Sequence, residues 1–217
     1  MPNGENDPAD ASYSLNTTRL EAFSDGVFAI AITLLVLDLS LPRHGPPLER
    51  VLHAWPSFLA YVVSFLTIGA AWLGHTALTD RLMRADHIFL RLNLLLLLAV
   101  AFLPFPTRLV ANELHDVENE RVFVTMYGLT LLAIRVAGFI VEEYAIREHL
   151  YGEGHESEET RRERKTILPV VSGYLGAIGI GIALPRLAVG IYFALGIFLV
   201  VPFREVGRLL FRRSPSN

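Results

Sequence analysis

Apolar residues along this chain gather into six long blocks, each bounded by charges, prolines or glycines. A hydrocarbon core about 30 Å thick takes about 20 helical residues to cross. On that scale the blocks at 54–79, 88–110, 121–143, 166–184 and 187–203 read as membrane-spanning helices. The second holds no charge before Asp80, Arg135 interrupts the fourth, and Pro104 with Pro106 kinks or ends the third near its far end. Only Pro185 and Arg186 separate the fifth from the sixth, which makes those two antiparallel neighbours. Gly173, Ala177 and Gly181 recur every four residues, as do Gly190 and Ala194, a small-residue spacing that lets helices approach closely. The first block, 19–41, is the odd one: Asp25 and Asp38 enclose only 12 residues, so it spans only if protein groups satisfy Asp25.

Composition agrees with this pattern. Of 217 residues, 52% are hydrophobic and 19% charged, and the mean hydropathy is +0.41, well above that of an average soluble domain. The expected fold is an all-α membrane protein, a single domain over 1–217 with six transmembrane helices per subunit and polar tails at 1–17 and 204–217. A net charge of −3 gives no basic field for nucleic acid, and with no cysteine there is neither a disulfide framework nor a thiol nucleophile. The acidic, polar N-terminus is unlike a cleaved signal peptide. Six crossings place twelve Lys and Arg on the side of both termini, in the tails and the loops after the second and fourth blocks, against five on the other, so both termini are expected in the cytoplasm. The stretch YGEGHESEETRRERK then reads as a flexible cytoplasmic connector.

The first block can be placed on a helix. Thr18 with Glu21 fits a capping box, so a helix can begin there. At about 100° per residue, Val27, Ile30, Leu34, Leu37 and Leu41 form one stripe with Gly26 and Thr33 at its edge, and Asp25 points about 140° away from Ile30. A carboxylate in that position needs donors from neighbouring helices. In a bundle of alternating direction, the start of the first helix, the end of the second and the start of the third share one level. There, Arg19, Ser24 and Asp25 can meet Trp72 and His75, three residues apart on one face, and Asn93. The plainest reading of this set is a polar staple between helices; a part in moving protons or ions is the other.

The arrangement R-x-x-x-F-S-D, here Arg19, Phe23, Ser24 and Asp25, followed by GVFAIAITLLVLDL, resembles the signature of the transmembrane protein 175 family of potassium channels. The likeness is strong over the first helix, extends to Trp72, His75 and Asn93, so that Arg19, Phe23, Ser24, Asp25, Trp72, His75 and Asn93 are expected to form one structural network, and covers the last three helices only in number and length. It implies a six-helix subunit and a homotetramer whose first helix lines a pore, since the chain holds a single repeat. It also implies a narrow hydrophobic ring at Ile30, further apolar layers at Leu34 and Leu37, and a hydroxyl at Thr33. Potassium would be the permeant ion, with no other cofactor, and monovalent cations and membrane lipid the partners. No TVGYG-like loop offers a ring of backbone carbonyls, so selectivity must come from side chains.

The stripe could equally be lipid-facing or packed in a core. A proton-coupled transporter or proton channel using Asp25 and His75 stays open, as does a scaffold without transport, although no inverted repeat or pair of interrupted helices marks a carrier. The seven histidines show no metal-binding spacing, and nothing in the sequence suggests an enzyme.

Overall fold

A computed structural model of the chain describes residues 17–37, 39, 45–113, 117–151 and 158–200. The helices are α1 (Thr17–Leu37), α2 (Pro47–His53), α3 (Trp55–Thr79), α4 (His87–Phe102), α5 (Pro104–Glu113), α6 (Val117–Arg147), α7 (Glu158–Ala183) and α8 (Pro185–Val200). Among the described residues, four helical stretches, at Thr17–Leu37, Ser57–Thr79, His87–Ala111 and Glu120–Arg147, are long and apolar enough to cross a membrane; Ile167–Ala183 and Pro185–Val200 are apolar but shorter. Asp38, Leu41, residues 201–203 and both tails beyond Thr17 and Val200 lie outside the described residues.

Local chemistry explains the boundaries. Asp86 caps α4 by accepting the Phe89 amide at 2.7 Å, which satisfies one of the orphan donors of the first turn. Pro104 follows Leu103, where the ladder breaks between α4 and α5, as the third block's prolines led one to expect. α2, absent from the block reading, starts on Pro47 with Glu49 in its first turn, favoured residues for a helix N-terminus. Two expectations need correction. α1 starts at Thr17, so Thr18 lies inside its first turn rather than at the cap. The connector YGEGHESEETRRERK is in part helical, because α7 begins at Glu158: the run EETRRERK has high helix propensity and sets Glu158 four residues before Arg162.

α3, α4, α5 and α6 form the middle of the bundle, the α7–α8 hairpin packs on α6 and α3, and α1 lies against α3, α4 and α5. Gly181 faces Ala188, and Gly173 faces Leu195, each with room for a Cβ only 3.2 Å from its neighbour. That reversed pairing makes the hairpin antiparallel, as the two-residue separation required. Gly190 and Ala194 instead look outward from the subunit, so their small-residue spacing is not used inside it. Buried hydroxyls tie the middle together, where a membrane interior offers no competing water. Ser64 Oγ lies 2.7 Å from Thr107 Oγ1 and 2.8 Å from the Tyr127 hydroxyl, and Ser57 Oγ donates to the Ala111 carbonyl at 2.9 Å.

One end of the bundle is clasped by the α3–α4 turn. The Met83 amide donates to the Leu150 carbonyl at 3.0 Å, the Tyr144 hydroxyl to Asp86 Oδ2 at 2.7 Å, and the Arg81 guanidinium lies 5.4 Å over the Tyr151 ring. Burial of Asp86 raises its carboxyl pKa, but the Phe89 amide and Tyr144 hydroxyl outweigh it, leaving the group below its ordinary value.

Candidate functional site

α1 turns two unlike faces to its surroundings. Leu20, Ser24, Phe28, Ala31 and Leu35, spaced three and four apart, are buried against the subunit. The opposite face is open: Ile30 is 61% exposed, Leu34 42% and Leu37 76%. Thr33 lies on this open face with its hydroxyl donating to the Ile30 carbonyl at 2.9 Å, which leaves oxygen lone pairs available. Within one subunit, then, Ile30, Leu34 and Leu37 of the stripe are not core, while Val27 at its start packs against the core.

The buried face carries the polar network. Ser24 is fully buried, Asn93 is 1% and His75 4% exposed. Asn93 Nδ2 donates to Ser24 Oγ at 3.0 Å, and His75 Nε2 lies 2.9 Å from Asn93 Oδ1. Since an amide oxygen only accepts, His75 must carry its proton on Nε2. Asn93 thus joins α3 to α1 through α4. A second arm is separate: Trp72 Nε1 donates to Asp25 Oδ1 at 2.9 Å, on the exposed edge of α1. His75 also packs on Phe28, ring centroids 5.5 Å apart. Phe28 escaped the sequence reading, although it stands four residues after Ser24 and so on the same helical face.

Five of the seven residues expected in the network therefore meet: Ser24, Asp25, Trp72, His75 and Asn93. Arg19 and Phe23 do not. Both are exposed, and helical spacing puts them about 20° to either side of Ile30, so they extend the open face toward the start of α1. Among the described residues no three His, Cys, Asp or Glu side chains converge as metal ligands do.

Residues 19–104, the span that contains this network, match the family model described as endosomal/lysosomal potassium channel TMEM175. A potassium channel of Chamaesiphon minutus is 35% identical over 198 residues, covering 88% of this chain and 97% of that one. The chain belongs to the TMEM175 family. TMEM175 is a family of ion channels, not of enzymes, and the four apolar helices fit a membrane location. A potassium channel of Streptomyces collinus is 46% identical over 122 residues, 55% of this chain and 59% of that protein, so that match spans less than two thirds of its length. The human protein named an endosomal/lysosomal proton channel TMEM175 is 37% identical over 139 residues, 58% of this chain but 27% of that longer one. In three dimensions the chain is similar to the crystal structure of a lysosomal potassium-selective channel TMEM175 homolog from Chamaesiphon minutus, with a TM-score of 0.71, 35% identity, and coverage of 84% and 95% of the two chains.

Proposed function

We propose that four copies of this chain, each crossing the membrane six times with both termini in the cytoplasm, form a potassium-selective channel of the cell membrane lined by α1. The open apolar face of α1 carries this reading: a helix bound by one side to α3 and α4 leaves Ile30, Leu34 and Leu37 exposed among the described residues. Kinship with proteins named potassium channels supplies the ion. Around a four-fold axis, four Ile30 side chains make a hydrophobic constriction, which closes by dewetting when narrow. When it widens, the ion that sheds its water more readily passes more readily, and potassium is more weakly hydrated than sodium. Thr33, about one turn beyond, offers hydroxyl oxygens in partial replacement of that water. The network of Ser24, Asp25, Trp72, His75 and Asn93 is a staple that fixes how α1 is presented to the axis, rather than part of the ion path.

Planar-bilayer recordings under a potassium-to-sodium gradient test the assignment. Ile30→Ala and Ile30→Asn widen or wet the ring and should raise current while lowering discrimination. Leu35→Ala, on the buried face, should change stability instead. Unchanged conductance and reversal potential in both Ile30 variants would place the pore elsewhere.

A proton-conducting reading is favoured by one observation, the name of the human relative. It would use Asp25 and His75. Current that follows a proton gradient with potassium absent, and that is lost in His75→Ala, would support it over the potassium reading.

A further inference from the structure

The seven residues of α2 (Pro47–His53) lead into α3 through a single joint, Ala54. Ala54 is buried, its amide donates to the Arg50 and Val51 carbonyls at 3.2 Å, and its carbonyl accepts the Phe58 amide at 3.2 Å. At about 100° per residue, Leu48, Val51 and Leu52 fall on one stripe of α2 about 100° wide, and Glu49 and Arg50 fall outside it. The apolar stripe is open: Leu48 is 72% and Leu52 63% exposed, and Val51 is exposed as well. The polar edge turns toward the chain entering the helix, where a Cβ on Gly45 would stand 3.8 Å from Arg50 Cγ and 3.9 Å from Glu49 Oε2.

The position of this stripe in the chain says what covers it. One span ends at Leu37 and the next begins at Ser57, so the segment between them is tied at both ends to one border of the membrane. His53 lies four residues before Ser57, no more than about 14 Å even when fully extended. Past the joint, Trp55, Phe58, Val62 and Phe65 are exposed on α3 and share one face by their spacing. The open apolar row of a spanning helix therefore reaches the end of α2, and the residue where they meet is a tryptophan, the side chain favoured at membrane–water borders. A helix with one apolar and one charged side at such a border is built to lie in the boundary between head groups and acyl chains. Glu49 and Arg50 cancel in charge, so nothing in α2 calls for anionic lipid.

We propose that α2 lies in the membrane interface at the Leu37 end of α1, with Leu48, Val51, Leu52 and Trp55 inserted among the upper acyl methylenes of neutral phospholipid. The proposal goes beyond the channel reading and rests only on α1 and α3 crossing the membrane, not on the ion or the pore. Anchored in this way, α2 sets the height in the membrane of α3, which carries Trp72 and His75 to the α1 network.

The chain has two tryptophans, Trp55 and Trp72, so Trp72→Phe makes the indole of Trp55 a single reporter. The full chain with this change is reconstituted in phosphatidylcholine vesicles, and its flotation with them after an alkaline wash establishes insertion separately from the state of α2. Phosphatidylcholine brominated near the glycerol should quench Trp55 more than phosphatidylcholine brominated at the chain ends, and more than iodide in the water. Adding phosphatidylglycerol should leave that order unchanged, and Leu52→Glu should shift the quenching from lipid to iodide. The chain has no cysteine, so nitroxides at Leu52→Cys and Glu49→Cys decide the matter with both tryptophans in place if Trp72→Phe does not fold. Oxygen should reach the first label better than the second, and a water-soluble nickel chelate the reverse. Stronger quenching by iodide, or equal accessibility of the two labels, would put α2 in water and overturn the proposal. Quenching by neither reagent would mean that a second copy of the chain covers the stripe, and strongest quenching from the chain ends that α2 belongs to the span; either result overturns it, as does insertion that requires phosphatidylglycerol.

Discussion

Replacing Asn93 with alanine removes the one side chain that α1, α3 and α4 share. Two hydrogen bonds go with it, to Ser24 at 3.0 Å and to His75 at 2.9 Å, and both partners are left buried. In a soluble core each orphaned group would cost about 1–3 kcal/mol. Between membrane helices the figure is smaller, on average about 0.6 and at most about 1.7 kcal/mol per bond, because the unfolded chain in lipid also finds partners. Two such bonds therefore put Asn93→Ala at about 1–3 kcal/mol. Trp72→Phe breaks a single bond, to Asp25, at a position 40% exposed, and should cost about 0.6 kcal/mol. Unfolding equilibria measured in mixed micelles by titration with a denaturing detergent give both values on the same protein. The double mutant Ser24→Ala with Asn93→Ala should cost less than the sum of the singles, since they share a bond. If Asn93→Ala cost less than Trp72→Phe, or if the two singles were additive, Asn93 would not be the node of the network.

Asp25→Asn keeps an oxygen that can accept from Trp72, so it should destabilise the subunit no more than Trp72→Phe does, and a loss above about 2 kcal/mol by detergent titration would mean partners that one subunit lacks. Gly128 sits under the Tyr192 hydroxyl and within 2.8 Å of Ile178 for any added Cβ; Gly128→Ala should cost about 1–3 kcal/mol by overpacking, and a neutral result would mean that the α6–α8 contact relaxes freely. Asp86 is held ionised below its ordinary pKa, so its contribution is present above that value and fades as pH falls through the lowered folded one. Thermal midpoints between pH 7 and acid should therefore fall less steeply in Asp86→Asn than in the unmodified chain, and parallel curves would remove Asp86 from the clasp.

What could be read in the sequence follows from where the signal is local. The four long apolar helices, the break before Pro104 and the tight α7–α8 hairpin depend on apolar runs and prolines that act within a few residues, and each appears among the described residues. The helical part of the connector was missed for a related reason: glycine and charge near residue 152 suggested a loop, while the propensity of EETRRERK, eight residues long, was outweighed by the absence of apolar periodicity. Ser24, His75 and Asn93 were found together because helices of alternating direction fix depth, and depth alone brought them to one level. Depth does not fix rotation about the helix axis. That is why Arg19 and Phe23 were grouped with the staple although one turn of arithmetic from Ile30 sets them on the other face.

That misplacement bears on how the open face of α1 works. With Arg19 and Phe23 on the Ile30 side, the proposed pore would have a charged, aromatic entrance at the start of α1 and an apolar throat beyond it at Ile30, about three turns past Arg19 and about two past Phe23. A ring of four guanidiniums at the mouth would oppose cations unless the side chains swing aside or are neutralised. Glu21, two residues on and half-buried, lies on the far side of the helix from Ile30 and is poorly placed to do so. Arg19→Gln in the bilayer assay separates these cases. Inward potassium current at low salt should rise if the arginines face the axis, because screening over about 10 Å already masks them at 0.1 M, and the gain should vanish as ionic strength increases. No gain of Arg19→Gln over the unmodified chain at low salt would place Arg19 away from the ion path, leaving Ile30 and Thr33 without a charged vestibule.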